Sequence, residues 1–524
     1  MLILSPVILL ILSAIVLTLL GVFRPKANYL WLIAAAGSFL SWGLVWFLRT
    51  QIGAKETLLN WGDTGVLDIS PEILLDEISW SFALALSTLI LAVILTDVSR
   101  AGEADWSSWA GSMAIAALGI LAVMAGNFET ILILWVVIDF LDLITLFLRV
   151  RGYERQQGVI LYFSTSFLGT MLVLWASVIS FSQNIHLTFE NIPPTLNLFI
   201  IAAVGLRLGV LPLQAPFMQD PTQQRGLGSV IKLVMPAASL SILVRVADVG
   251  IPQILKPYLL ILAGLAALYG AIAWARSKDE IRGRRFWILS LAAIAIASAI
   301  EGKQEAVLAW SLILILSGAL IFLASVYTRS RLIILILGII GLSTLPFSAS
   351  QMASTLFLKP FNLLLILFLI AYAILYAGFI RHIFRKGENI SGVEPWVIAV
   401  YPVGLIILII THWLLGTIFS YNPSNLIPLQ FLWPGLVIIS FSATITFFVN
   451  KNIEIPAFLF SGLEIIFSFD WFYTLLGRFY NFIGSILRLI SGMLEGEGGI
   501  LWAILLVTLI LTLVIQLGST TGAI

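Results

Sequence analysis

Asp139 and Asp142 stand three residues apart in the apolar run "ETILILWVVIDFLDLITLFL", on roughly one face of any helix the run forms. Two bases sit in nearby apolar runs: Arg207 in "AAVGLRLGVLPLQAPFMQDPTQQRG", and Lys232 shortly after it. Carboxylates and a desolvated lysine can take up and release protons near neutral pH. Arginine stays charged in proteins, so Arg207 suits a fixed charge or a gate and not a relay. Each such group inside a bilayer costs on the order of 3 kcal/mol on insertion scales, which makes function the default expectation. The plainer reading is a set of ion pairs that only hold helices together.

Prolines cluster around these bases. Pro212 and Pro216 follow Arg207 and are expected to break its helix, while Pro236, four residues after Lys232, frees that residue's carbonyl. Pro346 interrupts a later run, "GIIGLSTLPFSAS". Broken helices in corresponding positions of two halves point to an ion path near the midplane; simple kinks are the alternative.

Composition supplies the solvent. Of 524 residues, 60% are hydrophobic and 10% charged, and the mean hydropathy is +1.07. Soluble domains carry about 25% charged residues, so this chain belongs in lipid. With no cysteine, it has no thiolate ligands for iron–sulfur clusters or haem and no disulfides. No basic block suggests nucleic acid, and no P-loop, GxSxG or dinucleotide fingerprint stands in a strand–helix context. His186 and His382 lie at span ends without metal-ligand spacing. His412, in "LIITHWLLG", reads as a hydrogen-bonded packing residue rather than the base of a membrane acyltransferase. Neither a cofactor nor a metal is expected.

Apolar runs bounded by charges or turn residues mark about sixteen spans: 2–22, 28–48, 80–97, 109–126, 129–148, 159–181, 197–217, 228–247, 257–275, 286–300, 305–327, 332–349, 361–380, 396–418, 433–450 and 500–517. The first lacks a basic n-region and a cleavage site, so it reads as a retained span. With the N-terminus outside, loops on the cytoplasmic side hold eighteen of the 28 basic residues and the opposite loops six. That is the asymmetry of the positive-inside rule. Residues 470–495 space Arg478 and Arg488 among aromatic and aliphatic side chains, as in an amphipathic helix on the membrane surface.

At the residue level the chain resembles a family: the antiporter-like subunits of respiratory complex I, Mrp-type antiporters and membrane-bound hydrogenases. Their pattern G-x-x-x-K-S-A-x-x-P-L-H, then P-T, is similar to "AVGLRLGVLPLQ" followed by "DPT". Arg207 stands at the lysine and Gln214 at the histidine, while Pro212, Leu213, Pro221 and Thr222 match. "LDEISWSFAL" and "DEIRGRRFWILS" are similar to further family segments, and Asp139 falls at the key glutamate of span five. Lys232 falls near the span-eight histidine or lysine. The resemblance covers roughly residues 60–350.

It implies an all-α polytopic fold of about 14–16 transmembrane helices, with two inverted five-helix repeats broken in spans 7 and 12. Residues 1–108 would hold the first three helices, 109–250 the first repeat and 251–385 a second, degenerate repeat. Residues 386–524 would hold the C-terminal helices. The implied role is a non-redox, antiporter-like subunit of a respiratory or ion-translocating complex in a prokaryotic inner membrane. It would help to move protons through a first half-channel beside other membrane subunits, some of them paralogues. Departures keep two alternatives open, a non-conducting scaffold and an unrelated secondary transporter. In span eleven Leu314 and Gly318 stand where the family has histidine and lysine, and spans ten to thirteen hold no interior charge before Arg381, so conduction there would fall to ordered water and serines such as Ser311, Ser317 and Ser343.

Overall fold

A computed structural model describes residues 2–24, 29–58, 70–100, 105–149, 153–183, 185, 187–211, 224–326, 329–358, 362–385, 395–420 and 431–450, with isolated residues between 478 and 512. Among them, twelve helices are long and apolar enough to cross a bilayer, and three apolar helices are shorter. The chain divides into two units, Met1–Ile455 and Pro456–Ile524. In the second, residues 507–512 are helical inside the expected last span. The expected surface helix at 470–495 lies outside the described residues, apart from Arg478, Phe482 and Ser485.

The first unit runs α1 (Ser5–Phe23), α2 (Leu30–Phe47), α3 (Glu77–Asp97), α4 (Trp106–Val123), α5 (Phe128–Arg149), α6 (Tyr153–Ser182), α7 (Pro194–Arg207) and α8 (Arg225–Val246). It continues with α9 (Lys256–Arg276), α10 (Glu280–Ile300), α11 (Gln304–Leu312), α12 (Gly318–Leu323), α13 (Arg329–Gly341), α14 (Leu365–Ile383), α15 (Pro395–Ser420) and α16 (Leu432–Asn450). A π-helical turn, Ile313–Ser317, joins α11 to α12. Asp76, Asp105 and Asp279 each accept a backbone N–H in the first turn of the following helix. Such caps satisfy donors the helix cannot. The cap at Asp279 starts α10 six residues before the short run at 286–300, which makes it a full-length helix.

Helices α3, α8, α10 and the α11–α12 pair are buried almost all round and form the middle of the bundle. A helix apolar on every side belongs in such a place. Peripheral α5 shows both faces of the argument. Ile133, Val137, Phe140, Ile144 and Phe147 form an exposed stripe at alternating four- and three-residue steps, while Asp139 and Asp142 point inward. A two-stranded hairpin, Lys55–Thr57 with Glu72–Leu74, pins the α2–α3 connection to the α4–α5 corner through an Ile73–Ala125 bridge.

The two short spans end where glycine and serine chemistry stops them, ahead of the prolines. α7 closes after Arg207 with Gly209 at φ 72°. The Val210 N–H bonds the Gly205 carbonyl and the Gly209 N–H bonds the Leu206 carbonyl, which is a Schellman cap. Pro212 and Pro216 lie outside the described residues. α13 ends at Gly341, whose carbonyl accepts from Ser350 Oγ at 2.6 Å. Pro346 therefore sits in a loop, with Thr344 and Phe347 beside it at φ 54° and 66°. Non-glycine residues hold that conformation only when other bonds fix it. Here the Thr344 N–H donates to Ser350 Oγ at 3.0 Å and the Phe347 N–H to Gln351 Oε1 at 2.7 Å. Pro236 lies inside a helix, and α8 continues through it.

Candidate functional site: a buried charge cluster

Arg207 is buried, and every polar part of its guanidinium has a partner. Nη1 donates to Asp139 Oδ2 and Nη2 to Asp139 Oδ1, both at 2.7 Å. Nη1 also reaches Thr170 Oγ1 at 2.8 Å and the Ser166 carbonyl at 3.1 Å, and Nε reaches Ser239 Oγ at 3.3 Å. The indole of Trp135 lies 4.1 Å beneath the guanidinium carbon. A planar fork on a carboxylate, stacked on an aromatic face, is the arrangement arginine forms and lysine cannot. Its place in the last turn of α7 adds the favourable field of the carbonyl end.

Position follows from the helices. α7 rises only about 21 Å over its 14 residues, less than the roughly 30 Å hydrocarbon core, so its end lies at membrane depth. α6 turns Tyr162, Ser166, Gly169 and Thr170 to one side, at helical spacing. Gly169 permits the close approach of α7: a Cβ there would stand 2.7 Å from Arg207 Cγ and 2.8 Å from the Ala203 carbonyl oxygen.

Asp142 and Lys232 complete the cluster. Asp142 is buried, its Oδ1 has no hydrogen-bond partner among the described residues, and it lies in the fields of Asp139, Lys232 and Arg207. Lys232 Nζ stands 4.8 Å from the ring centre of Tyr162, whose hydroxyl reaches Met235 Sδ at 2.7 Å. The structure thus brings Asp139, Asp142, Arg207 and Lys232 into one cluster between α5, α6, α7 and α8. Reading the sequence missed Trp135, Tyr162, Ser166, Thr170 and Ser239. Only the i, i+4 spacing of Tyr162, Ser166 and Thr170 in a span could have signalled the last turn of the argument.

Away from this cluster some polar groups serve their own helices and others join neighbours. Ser298 and Ser311 bond carbonyls four residues back. The indole of Trp287 donates to the Leu314 carbonyl at 3.2 Å and blocks the space beside Gly318. Arg284, one of the eighteen basic residues assigned to cytoplasmic-side loops, is buried, with Nη1 on Ser229 Oγ at 3.0 Å and the Phe322 ring 5.7 Å away. His382 packs on Trp274 and Ser277. Gln214 and His186 lie outside the described residues.

This architecture, a polytopic bundle of apolar helices, is shared with chains of respiratory and Mrp membrane complexes. The chain is similar to one in the membrane-bound sulfane sulfur reductase, an archaeal respiratory membrane complex, with a TM-score of 0.67 and 15% identity over 96% of this chain and 99% of that one. It is also similar to a chain of the Mrp complex from Dietzia sp. DQ12-45-1b (TM-score 0.71, 12% identity, 98% of this chain), of which it spans 63%. A chain of respiratory complex I from Thermus thermophilus, with bound NADH, matches at a TM-score of 0.60 and 18% identity over 80% of this chain and 100% of that one. No protein-family model and no curated protein matches the sequence.

Proposed function

We propose that the chain is an antiporter-like subunit of a respiratory or ion-translocating complex, and that its charge cluster takes part in proton translocation. The observation that carries this reading is the contrast between the two carboxylates, Asp139 bonded through both oxygens and Asp142 with Oδ1 unbonded among the described residues. Arg207 and Asp139 saturate each other and form a fixed dipole. Asp142 and Lys232 sit in that field, one oxygen of Asp142 has no hydrogen-bond partner among the described residues, and these two would exchange the proton. The fixed pair would bias which of the exchangeable pair holds the proton. Spans four to eight would be one half of the path and spans nine to thirteen the other. Neighbouring membrane subunits would complete it, in a prokaryotic inner membrane with the N-terminus outside.

The scaffold reading is favoured by one observation: Ser298 and Ser311 in the second half bond carbonyls of their own helices. Lys232→Arg separates the two readings. It keeps the charge and most of the packing but holds the site protonated. A conducting subunit loses proton flux in vesicles containing the assembled complex; unchanged flux in an intact Lys232→Arg complex leaves the scaffold.

A further inference from the structure

A cavity of about 420 Å³ opens on the face of the bundle that holds the starts of α3 and α11 and the ends of α8 and α15. Asp76, Glu77 and Glu305 line it along with Leu312, Leu415 and Gly416. One helical turn before Leu415 and Gly416 on α15 stands His412, buried on the inward face of the helix. Its Nδ1 lies 3.3 Å from Ser317 Oγ, in the π-helical turn five residues after Leu312. Widened turns of this kind break the regular ladder and recur at functional sites.

We propose that His412 and Ser317 form a protonatable station in the second half of the chain, reached through this cavity. The π turn brings Ser317 to the imidazole, next to Gly318, so α15 supplies an ionisable group beside a span whose middle is otherwise aliphatic. Elements packed against α15 carry their ionisable residues at their ends: Asp76, Glu77 and Asp97 on α3, with Arg100 beyond it, Glu305 on α11, and Arg329 and Arg331 on α13. Among the described residues of these elements, the imidazole is therefore the ionisable group at mid-depth; Asp76 at the mouth is paired with Arg245, and Glu77 and Glu305 attract cations toward it. Its part in transport rests on the proton-translocating reading above.

The chain has three histidines, so histidine-selective isotope labelling of the full protein in nanodiscs gives a spectrum in which His412→Gln identifies one signal. Exchange of its ring proton with water is expected on the timescale of seconds. Filling the cavity, by Ala309→Trp or independently by Met352→Trp, is expected to slow that exchange at least tenfold. Exchange over hours in the unaltered protein, or exchange indifferent to both plugs, overturns the proposal. In the assembled complex, His412→Gln is expected to lower proton flux at least tenfold, and full flux in that variant removes His412 from the path. Because ring-proton exchange needs no flux, a complex that conducts nothing sinks the transport reading while the exchange result still decides whether the station exists.

Discussion

A guanidinium with five satisfied contacts behaves differently from one exposed to a neighbour by chance. Removing one partner of a buried pair leaves the other as an uncompensated charge, at a cost of about 3–5 kcal/mol, whereas replacing both with apolar groups is often neutral. Arg207→Met alone is thus expected to destabilise the protein by about that amount, and Asp139→Leu with Arg207→Met to recover most of it. Thermal unfolding in detergent micelles measures both, and a double variant less stable than the single one contradicts the pairing argument. Arg207 and its acid were legible because charges inside apolar runs are conspicuous and must be neutralised. The uncharged partners were not: a serine or threonine in a span looks the same whether it bonds its own helix, as Ser311 does, or a neighbour's guanidinium, as Thr170 does.

At the scale of the helix, small residues decide where elements stop and touch. The sequence pointed to prolines as the breaking agents of spans seven and twelve, yet α7 stops at a glycine cap and α13 at a serine that captures its final carbonyl. Proline is the louder signal in a sequence, while a positive φ at Gly209 emerges only from the folded backbone. The π turn at 313–317 leaves no mark in composition at all, since it is made of aliphatic residues and one serine. Gly169 gives the sharpest test at this scale. Gly169→Ala forces apart α6 and α7 and is expected to cost about 1–3 kcal/mol. Gly43→Ala, on α2 with nothing within 4 Å of the added methyl, is expected to be neutral or mildly stabilising. Equal effects of the two on thermal stability would refute the close-approach argument.

For the whole molecule, ion pairs join helix ends that the alternation of spans places on the same side: Arg225 with Glu280, Arg245 with Asp76, and Lys256 with Glu301. That agreement supports the alternation of spans three to ten, which the regular spacing of apolar runs made readable. The side itself is set by basic residues and is open to experiment. Lys278 is exposed between α9 and α10, and the chain has no native cysteine, so Lys278→Cys reports the face cleanly. Labelling from the cytoplasmic side only is expected, and labelling from the outer side only reverses the orientation.

The pair between Asp139 and Arg207 also sets a timetable for biogenesis. Sixty-eight residues of chain separate the acid from the base. At about 5–20 residues per second, α5 leaves the ribosome roughly 3–14 s before its counter-charge exists. A span with two carboxylates, each costing about 2.5–3.5 kcal/mol at the bilayer centre, has little reason to enter lipid alone in that interval. α5 is expected to wait beside the insertion machinery and to partition together with α7. Nascent chains arrested before residue 207 should leave α5 extractable by alkali, and chains arrested well beyond α8 should not.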